Sequence, residues 1–334
     1  MTNNKDVFEF DAVIIGAGVV GLAVANELAA NFAIIRRYAV AASKIGVRLI
    51  SFPECCLTGY WHLRHLDRKQ LEGLAEQIPD GVYSVKIREL ANDLNLTIGV
   101  GLLEMTKNGR LFNSYFVANP GGTYACHRKI HCFINSEIDS GDDFTVFSGP
   151  DDVPIGVLIC YDNNIIENVR MTALQGARVL LAPHQTGGCK SGSPFAMGII
   201  PRKLWDDRAA NPDAIEAELR GDKGRGWLMR WLPSRAHDNG LFLIFSNGIG
   251  PDDDEVRTGN SMIIDPYGRI IKETWAAGDE MVVADLDLSL QERATGTRWI
   301  RARRPGLYGL LTKQADKVES TRDIRFEHLE DNDL

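Results

Sequence analysis

The chain has 334 residues, 44% of them hydrophobic and 25% charged, the balance of a globular protein with a sizeable core. A formal net charge of −8 argues against nucleic acid or an anionic membrane as a partner. Six cysteines in a chain this long do not make a disulfide scaffold, so a reducing cytoplasm fits best.

The first informative stretch is "DAVIIGAGVVGLAVANELA" at 11–29. Its apolar run is shorter than the roughly 20 residues a membrane-spanning helix needs. Asp6, Glu9 and Asp11 stand where a signal peptide carries positive charge, which argues against export. Gly16, Gly18 and Gly21 spell a G-x-G-x-x-G fingerprint, the opening of a dinucleotide-binding unit. That reading needs a second strand, for which "FAII" at 32–35 is the candidate, and then an acidic residue, where the chain has Arg36 and Arg37. Against it, Leu28, Phe32, Ile35, Ala39 and Ala42 recur at helical spacing, which predicts one continuous helix from about Leu28 to Ile45. The expectation is no cofactor, with a flavin or nicotinamide oxidoreductase built on the three glycines as the rival.

Strand-like runs follow at 48–52, 96–104, 111–120, 155–162, 179–183, 241–247, 259–266 and 281–288. Helical patterns lie between them at 68–95 and 165–177, so the chain is of the α/β class. Residues 186–232 form a long excursion holding a short helix ("NPDAIEAELRG"), of the kind that covers or shapes sites. "PDDDEVR" at 251–257 lacks the spacing of a calcium loop and is expected to be a solvated loop. In "CHRKIHC", strand alternation sends Cys126 and Cys132 to one face and His127, Lys129 and His131 to the other, so no zinc site is expected. Cys189, in "GGCKSGS", is expected to be an incidental exposed thiol, and "RWIRARRP" a surface or interface ion-pair patch. After Thr312 the chain turns polar and acidic, which suggests a tail.

Three short stretches carry chemistry. Glu54 in "RLISFPECCLTGY" directly follows a strand, Lys129 lies in "GTYACHRKIHCF", and Cys160 ends the buried run "PIGVLICYD". A lone strand-end cysteine is ordinarily a small hydrophobe. With a carboxylate and an amine it becomes an acyl-transfer apparatus. A thiol of pKa about 8.5 is mostly protonated at neutral pH and needs a base, which Glu54 supplies, while Lys129 stabilises the developing oxyanion.

These stretches resemble the nitrilase superfamily of carbon–nitrogen hydrolases, which is built on a Glu-Lys-Cys triad. "LISFPECCLTGY", "HRKIH" and "GVLICYD" look like its three catalytic strands. "ENVRMTALQGARVLLAP", "RAHDNGLFLIFSNGIG", "GNSMIIDPYGRII" and "RARRPGLYG" are similar to its later blocks in the same order, so the resemblance spans about 28–312. It implies an αββα sandwich over residues 1–312, atypical in 1–27, followed by a polar tail at 313–334. It further implies that Cys160 attacks the substrate carbon, Glu54 acts as base and then acid, and Lys129 with the Tyr161 backbone N–H holds the oxyanion of a thioester-forming reaction. Amidase relatives carry a second glutamate after the lysine, for which Glu137 is the match. Tyr60, Tyr161, His184 and Gln185 would line the pocket. Tyr161-Asp162 after the nucleophile, where nitrilases often have Trp-Glu, favours an amide-type substrate. The expected protein is thus a cytoplasmic cysteine amidase, without metal, hydrolysing a small amide or N-carbamoyl compound to acid and ammonia, as a homodimer or higher homo-oligomer. Nitrile hydrolysis by the same triad is the alternative.

Overall fold

The computed structural model describes residues 9–16, 24–313 and 319–327. Two sheets form its centre. The first runs, edge to edge, Glu280–Asp287, Glu9–Gly16, Leu49–Ser51, Thr97–Met105, Leu111–Ala118 and Tyr124–Arg128. The second runs Ile270–Glu273, Met262–Ile264, Phe242–Asn247, Val179–His184, Pro154–Val157 and Thr145–Ser148. In each, three adjacent strands are mutually parallel (Glu9–Gly16, Leu49–Ser51 and Thr97–Met105 in the first, Pro154–Val157, Val179–His184 and Phe242–Asn247 in the second), with antiparallel strands on either side.

Alternation along the strands builds the layers. Leu49, Val117, Val157, Leu181 and Ile244 meet in one buried cluster drawn from both sheets. Their neighbours Ile50, Ile98 and Phe116 face the other way, against Ile35 and Ala39 of the helix Val24–Lys44 and Ile87 of the helix Val82–Leu94. On the far side, Leu180, Leu243 and Phe245 pack against Val169 of the helix Ile166–Leu174 and Ala236 of the helix Leu232–His237. The architecture is the αββα sandwich.

The glycine-rich start is resolved by the first helix. Val24–Lys44 is unbroken, with residues 32–35 in its middle, so the segment that would have supplied the second strand of a dinucleotide fold is helix. Gly16 ends the strand Glu9–Gly16, while Gly18 and Gly21 lie outside the described residues.

Four other expectations need correction. The 68–95 pattern is two helices, Arg68–Leu74 and Val82–Leu94, with Pro79 between them, which cannot continue a helix. "PDDDEVR" is no solvated loop: Ile249–Asp252 and Glu255–Thr258 form a hairpin whose Asp252, Glu255 and Arg257 are all buried. Cys189 is buried too, its Sγ 3.3 Å from the Met197 Sδ. Within the expected tail, Thr321–Phe326 is a helix that buries Phe326 against Trp61 and Phe133.

The first helix offers a direct test. Replacing the fully buried Ile35 with Ala should cost about 2–5 kcal/mol in urea unfolding, against within about 0.5 kcal/mol for the exposed neighbour Arg36→Ala. Equal costs at the two positions would contradict this packing.

Candidate active site

Glu54 hangs off the end of the strand Leu49–Ser51, in a turn laid flat on the next strand. Gly101 makes this possible, because a Cβ there would collide with the backbone of Pro53 and Cys55. Phe52 and Leu57 donate backbone hydrogen bonds to Gly99 and Gly101 and fix the turn on either side of Glu54. The carboxylate is fully buried. Its Oε1 accepts from Lys129 Nζ and from Asn113 Nδ2, both at 2.7 Å. Its Oε2 has no hydrogen-bond partner among the described residues.

Lys129 lies one residue past the strand Tyr124–Arg128, and its backbone N–H still pairs with the Asn113 carbonyl at 2.8 Å. Its ammonium is 1% exposed and sits near the rings of Tyr60 and Phe133. Burial pulls its pKa down, but the charge of Glu54 outweighs that and holds it well above the ordinary value. The amine therefore stays an ammonium at neutral pH.

Cys160 follows the strand Pro154–Val157, at the start of a short 3-10 turn, with φ of 49°. That left-handed conformation costs a residue with a Cβ about 1–3 kcal/mol and needs support from its surroundings. Asn163 Nδ2 supplies part of it by donating to the Leu158 carbonyl at 2.7 Å and the Cys160 carbonyl at 3.3 Å. Burial, followed by the charge of Glu54, pushes the Cys160 thiol up to about 12, against a downward pull from Lys129. At neutral pH the Cys160 sulfur is therefore a thiol.

Asp162 supplies the rest. Fully buried, it accepts from the backbone N–H of Ile159 and Ile130, each at 3.2 Å, and of His131 at 2.8 Å. His131 Nδ1 lies 3.0 Å away and His127 Nε2 3.7 Å. Burial pushes the carboxyl up, yet hydrogen bonding from His127 and His131 holds it below the usual carboxylate range. The two histidines that flank Lys129 thus converge on Asp162. Sequence reasoning missed Asp162; the available signal was an acid two residues beyond the cysteine, with two histidines bracketing the lysine.

Cys160 opens onto a cavity of about 560 Å³, walled by Tyr60, Trp61, Phe133, Tyr161 and Gln185. The Tyr60 hydroxyl is buried without a partner, and Gln185 is held by its Nε2 on the Glu54 carbonyl at 3.0 Å. The long excursion supplies the rim through Thr186, Cys189, Met197 and Trp227. Two expected residues stay outside. Glu137 is half exposed and pairs with Arg68 at 3.6 Å, turned outward because its N–H is held by Asn135, whose amide is fixed to the Leu63 and Leu66 carbonyls. His184 is sealed behind the cavity, against Phe245 and 3.2 Å from Asn163 Nδ2, its pKa driven well down by burial and then by Lys129.

Among the described residues no cluster of three or more His, Cys, Asp or Glu has the arrangement to hold a metal, and no helix is long and apolar enough to cross a membrane.

A strained cysteine beside a buried carboxylate–ammonium pair, on an αββα sandwich, defines a class of cysteine-bearing hydrolase folds. The family model that matches, over residues 16–295, is that of the carbon–nitrogen hydrolases, and the chain belongs to that family. It is an enzyme of the amidase and nitrilase type. A nitrilase from Pyrococcus abyssi is 27% identical over 75% of this chain and 80% of its own. An (R)-stereoselective amidase from a Pseudomonas species is 27% identical over 80% of this chain and 84% of its own. The amidase from Nesterenkonia sp. AN1 superposes with a TM-score of 0.64 at 20% identity, covering 90% of this chain and 95% of that one. That structure carries the acetamide moiety of fluoroacetamide added covalently at its active-site cysteine.

The Asp162 account has a pH signature. A depressed carboxyl pKa contributes stability above the unfolded value near pH ~4 and loses it as pH falls towards the folded value. Asp162→Asn should therefore be less stable than the parent by about 3 kcal/mol at neutral pH, and the gap should narrow below pH ~4. Urea titrations at neutral and acid pH measure it; a gap that ignores pH would take the charge of Asp162 out of the account.

Proposed function

We propose that the protein hydrolyses small amides to the acid and ammonia through a thioester on Cys160. The observation that carries this reading is the division of labour on Glu54: Oε1 is occupied by Lys129 and Asn113, while Oε2 is buried and unpartnered. A buried carboxylate oxygen without a donor is a proton acceptor waiting for one, and the neighbouring thiol, held protonated, has one to give.

In the first half-reaction the Cys160 sulfur attacks the amide carbon as its proton passes to Glu54. The carbonyl π electrons move to oxygen, which Lys129 Nζ and the Tyr161 backbone N–H stabilise. Collapse of this intermediate breaks the C–N bond; Glu54 returns the proton to nitrogen, and ammonia leaves a thioester. Water then attacks, losing a proton to Glu54, and the C–S bond breaks to give the acid and the restored thiol. Tyr60 and Gln185, in the cavity wall, orient the amide. The adduct on the cysteine of the Nesterenkonia amidase supports a nucleophilic role for the equivalent sulfur here.

The test is ammonia release from a panel of primary amides, N-carbamoyl compounds and nitriles. Amides are expected to be turned over, with release abolished in Cys160→Ala and reduced about 10²–10⁴-fold in Glu54→Gln. Release confined to nitriles would replace the amidase reading with the nitrilase one, and release surviving in Cys160→Ala would end both.

We also propose a second copy of this chain as partner, seated on the groove lined by Ile166, Trp299 and Leu311, in a segment that also exposes Leu307 and Leu310. An apolar patch of that kind is uncommon on a monomer. Light scattering should give a dimer or a multiple of it, and Leu310→Glu with Trp299→Glu should shift it to monomer; a monomeric parent would refute the assignment.

A further inference from the structure

His184 is a buried titratable group that the hydrolytic chemistry leaves unused. It ends the strand Val179–His184, and the next residue, Gln185, holds the Glu54 carbonyl. The end of this strand therefore touches both the turn that carries the carboxylate and the turn that carries the nucleophile. The imidazole lies against Phe245 and Trp231, with ring centroids 4.6 and 6.0 Å away. Burial, followed by the charge of Lys129, keeps it neutral at neutral pH. Its Nε2 is 3.2 Å from Asn163 Nδ2, and its Nδ1 has no partner among the described residues.

The Asn163 amide decides which ring nitrogen carries the hydrogen. Its Nδ2 faces the carbonyl oxygens of Leu158 and Cys160, and only an N–H can meet a carbonyl. Turning the amide over would set Oδ1 against both carbonyls; Oδ1 is the atom left unpartnered. An amide NH₂ has two hydrogens, here with three acceptors around them. One goes to Leu158 at 2.7 Å, and the other is shared between the Cys160 carbonyl at 3.3 Å and His184 Nε2 at 3.2 Å. His184 Nε2 is thus an acceptor, and the ring hydrogen is on Nδ1.

The Cys160 backbone, left-handed at φ 49°, persists only with support from its surroundings. Past the cysteine, Arg235 Nε and Nη2 donate to the carbonyls of Asn163 and Asn164, each at 2.8 Å. The main chain of Asn163 is fixed in this way, and its amide keeps one freedom, rotation about the bond to Leu158. The acceptor on His184 removes that freedom. We infer that His184 is a positioning residue for the nucleophile: by accepting from Asn163 it holds the amide on the Cys160 carbonyl and so sets the direction of the thiol. It lies behind the cavity and touches no reacting atom. The kinetic part of this inference rests on the amidase reading; the geometric part stands without it.

The test compares His184→Leu, which keeps apolar bulk but has no acceptor, with His184→Gln, whose side-chain oxygen can replace Nε2. His184→Leu should lower kcat for amide hydrolysis about 10- to 100-fold while KM stays within about twofold. His184→Gln should recover part of the loss. A kcat that His184→Leu leaves unchanged, or a His184→Gln as slow as His184→Leu, overturns the inference. Alkylation of Cys160 by iodoacetamide, followed on the Cys160 peptide by mass spectrometry, needs no amide turnover and should slow in the same order. If no amide is hydrolysed, that rate decides alone, and equal rates in the parent and His184→Leu overturn the inference. Should His184→Leu not fold, nitrogen-15 NMR of the parent decides, with the His184 signal assigned by its absence from His184→Gln. A neutral ring protonated at Nδ1 supports the assignment, and one protonated at Nε2 overturns it.

Discussion

Asp162 binds together two loops that come from different sheets. The backbone of Ile130 and His131 continues from the first sheet, just past Lys129; the backbone of Ile159 continues from the second, just before Cys160. One carboxylate accepts from both. A buried anion tolerates the loss of water only when donors surround it, and here backbone N–H groups and the His131 imidazole provide them, with His127 Nε2 at 3.7 Å. The arrangement also holds Cys160 in a conformation it would not adopt alone. Without that carboxylate the lysine and the cysteine would belong to two independent loop ends.

The ion pair between Glu54 and Lys129 has a similar logic, with a different outcome. Either charge alone in so dry a place would be strongly destabilising, and the pair removes most of that cost without making a large net contribution to stability. What it achieves is an asymmetry. One carboxylate oxygen is committed to the ammonium and an amide, and the other is buried with no donor among the described residues. Because Lys129 keeps its proton, Glu54 has a fixed positive neighbour.

Much of this was legible in the sequence because it depends on local pattern. The apolar stripe Leu28, Phe32, Ile35, Ala39 and Ala42 outweighed the glycine fingerprint, since helical spacing over several turns reports burial, whereas three glycines report only permissive backbone. Glu54 and Cys160 were readable as polar groups at the ends of apolar strands, and Lys129 as an amine within a polar-rich one. Less legible was whatever depends on partners distant in sequence. "PDDDEVR" reads as a solvated loop until Arg257 is seen to carry both acids into the interior, and Phe326 looks like part of a tail until Trp61 and Phe133 meet it. Glu137 failed for a smaller reason, since an asparagine two residues earlier sets the direction of its turn.

The separation of the site between layers also gives its activity a particular meaning. Glu54 and Lys129 travel with one sheet and Cys160 with the other, while the contact between the sheets is mainly Leu, Ile, Val and aromatic side chains, pinned by a few hydrogen bonds such as those of Ser246 to Ser51 and Phe52 and of Gln185 to the Glu54 carbonyl. Either sheet can keep its hydrogen-bonded ladder if those few links give and the two slide by a fraction of a side chain. Thiol and carboxylate would then part although every strand remained intact. Turnover in this enzyme is thus a measure of the alignment between two halves of a sandwich, a finer property than the presence of its secondary structure.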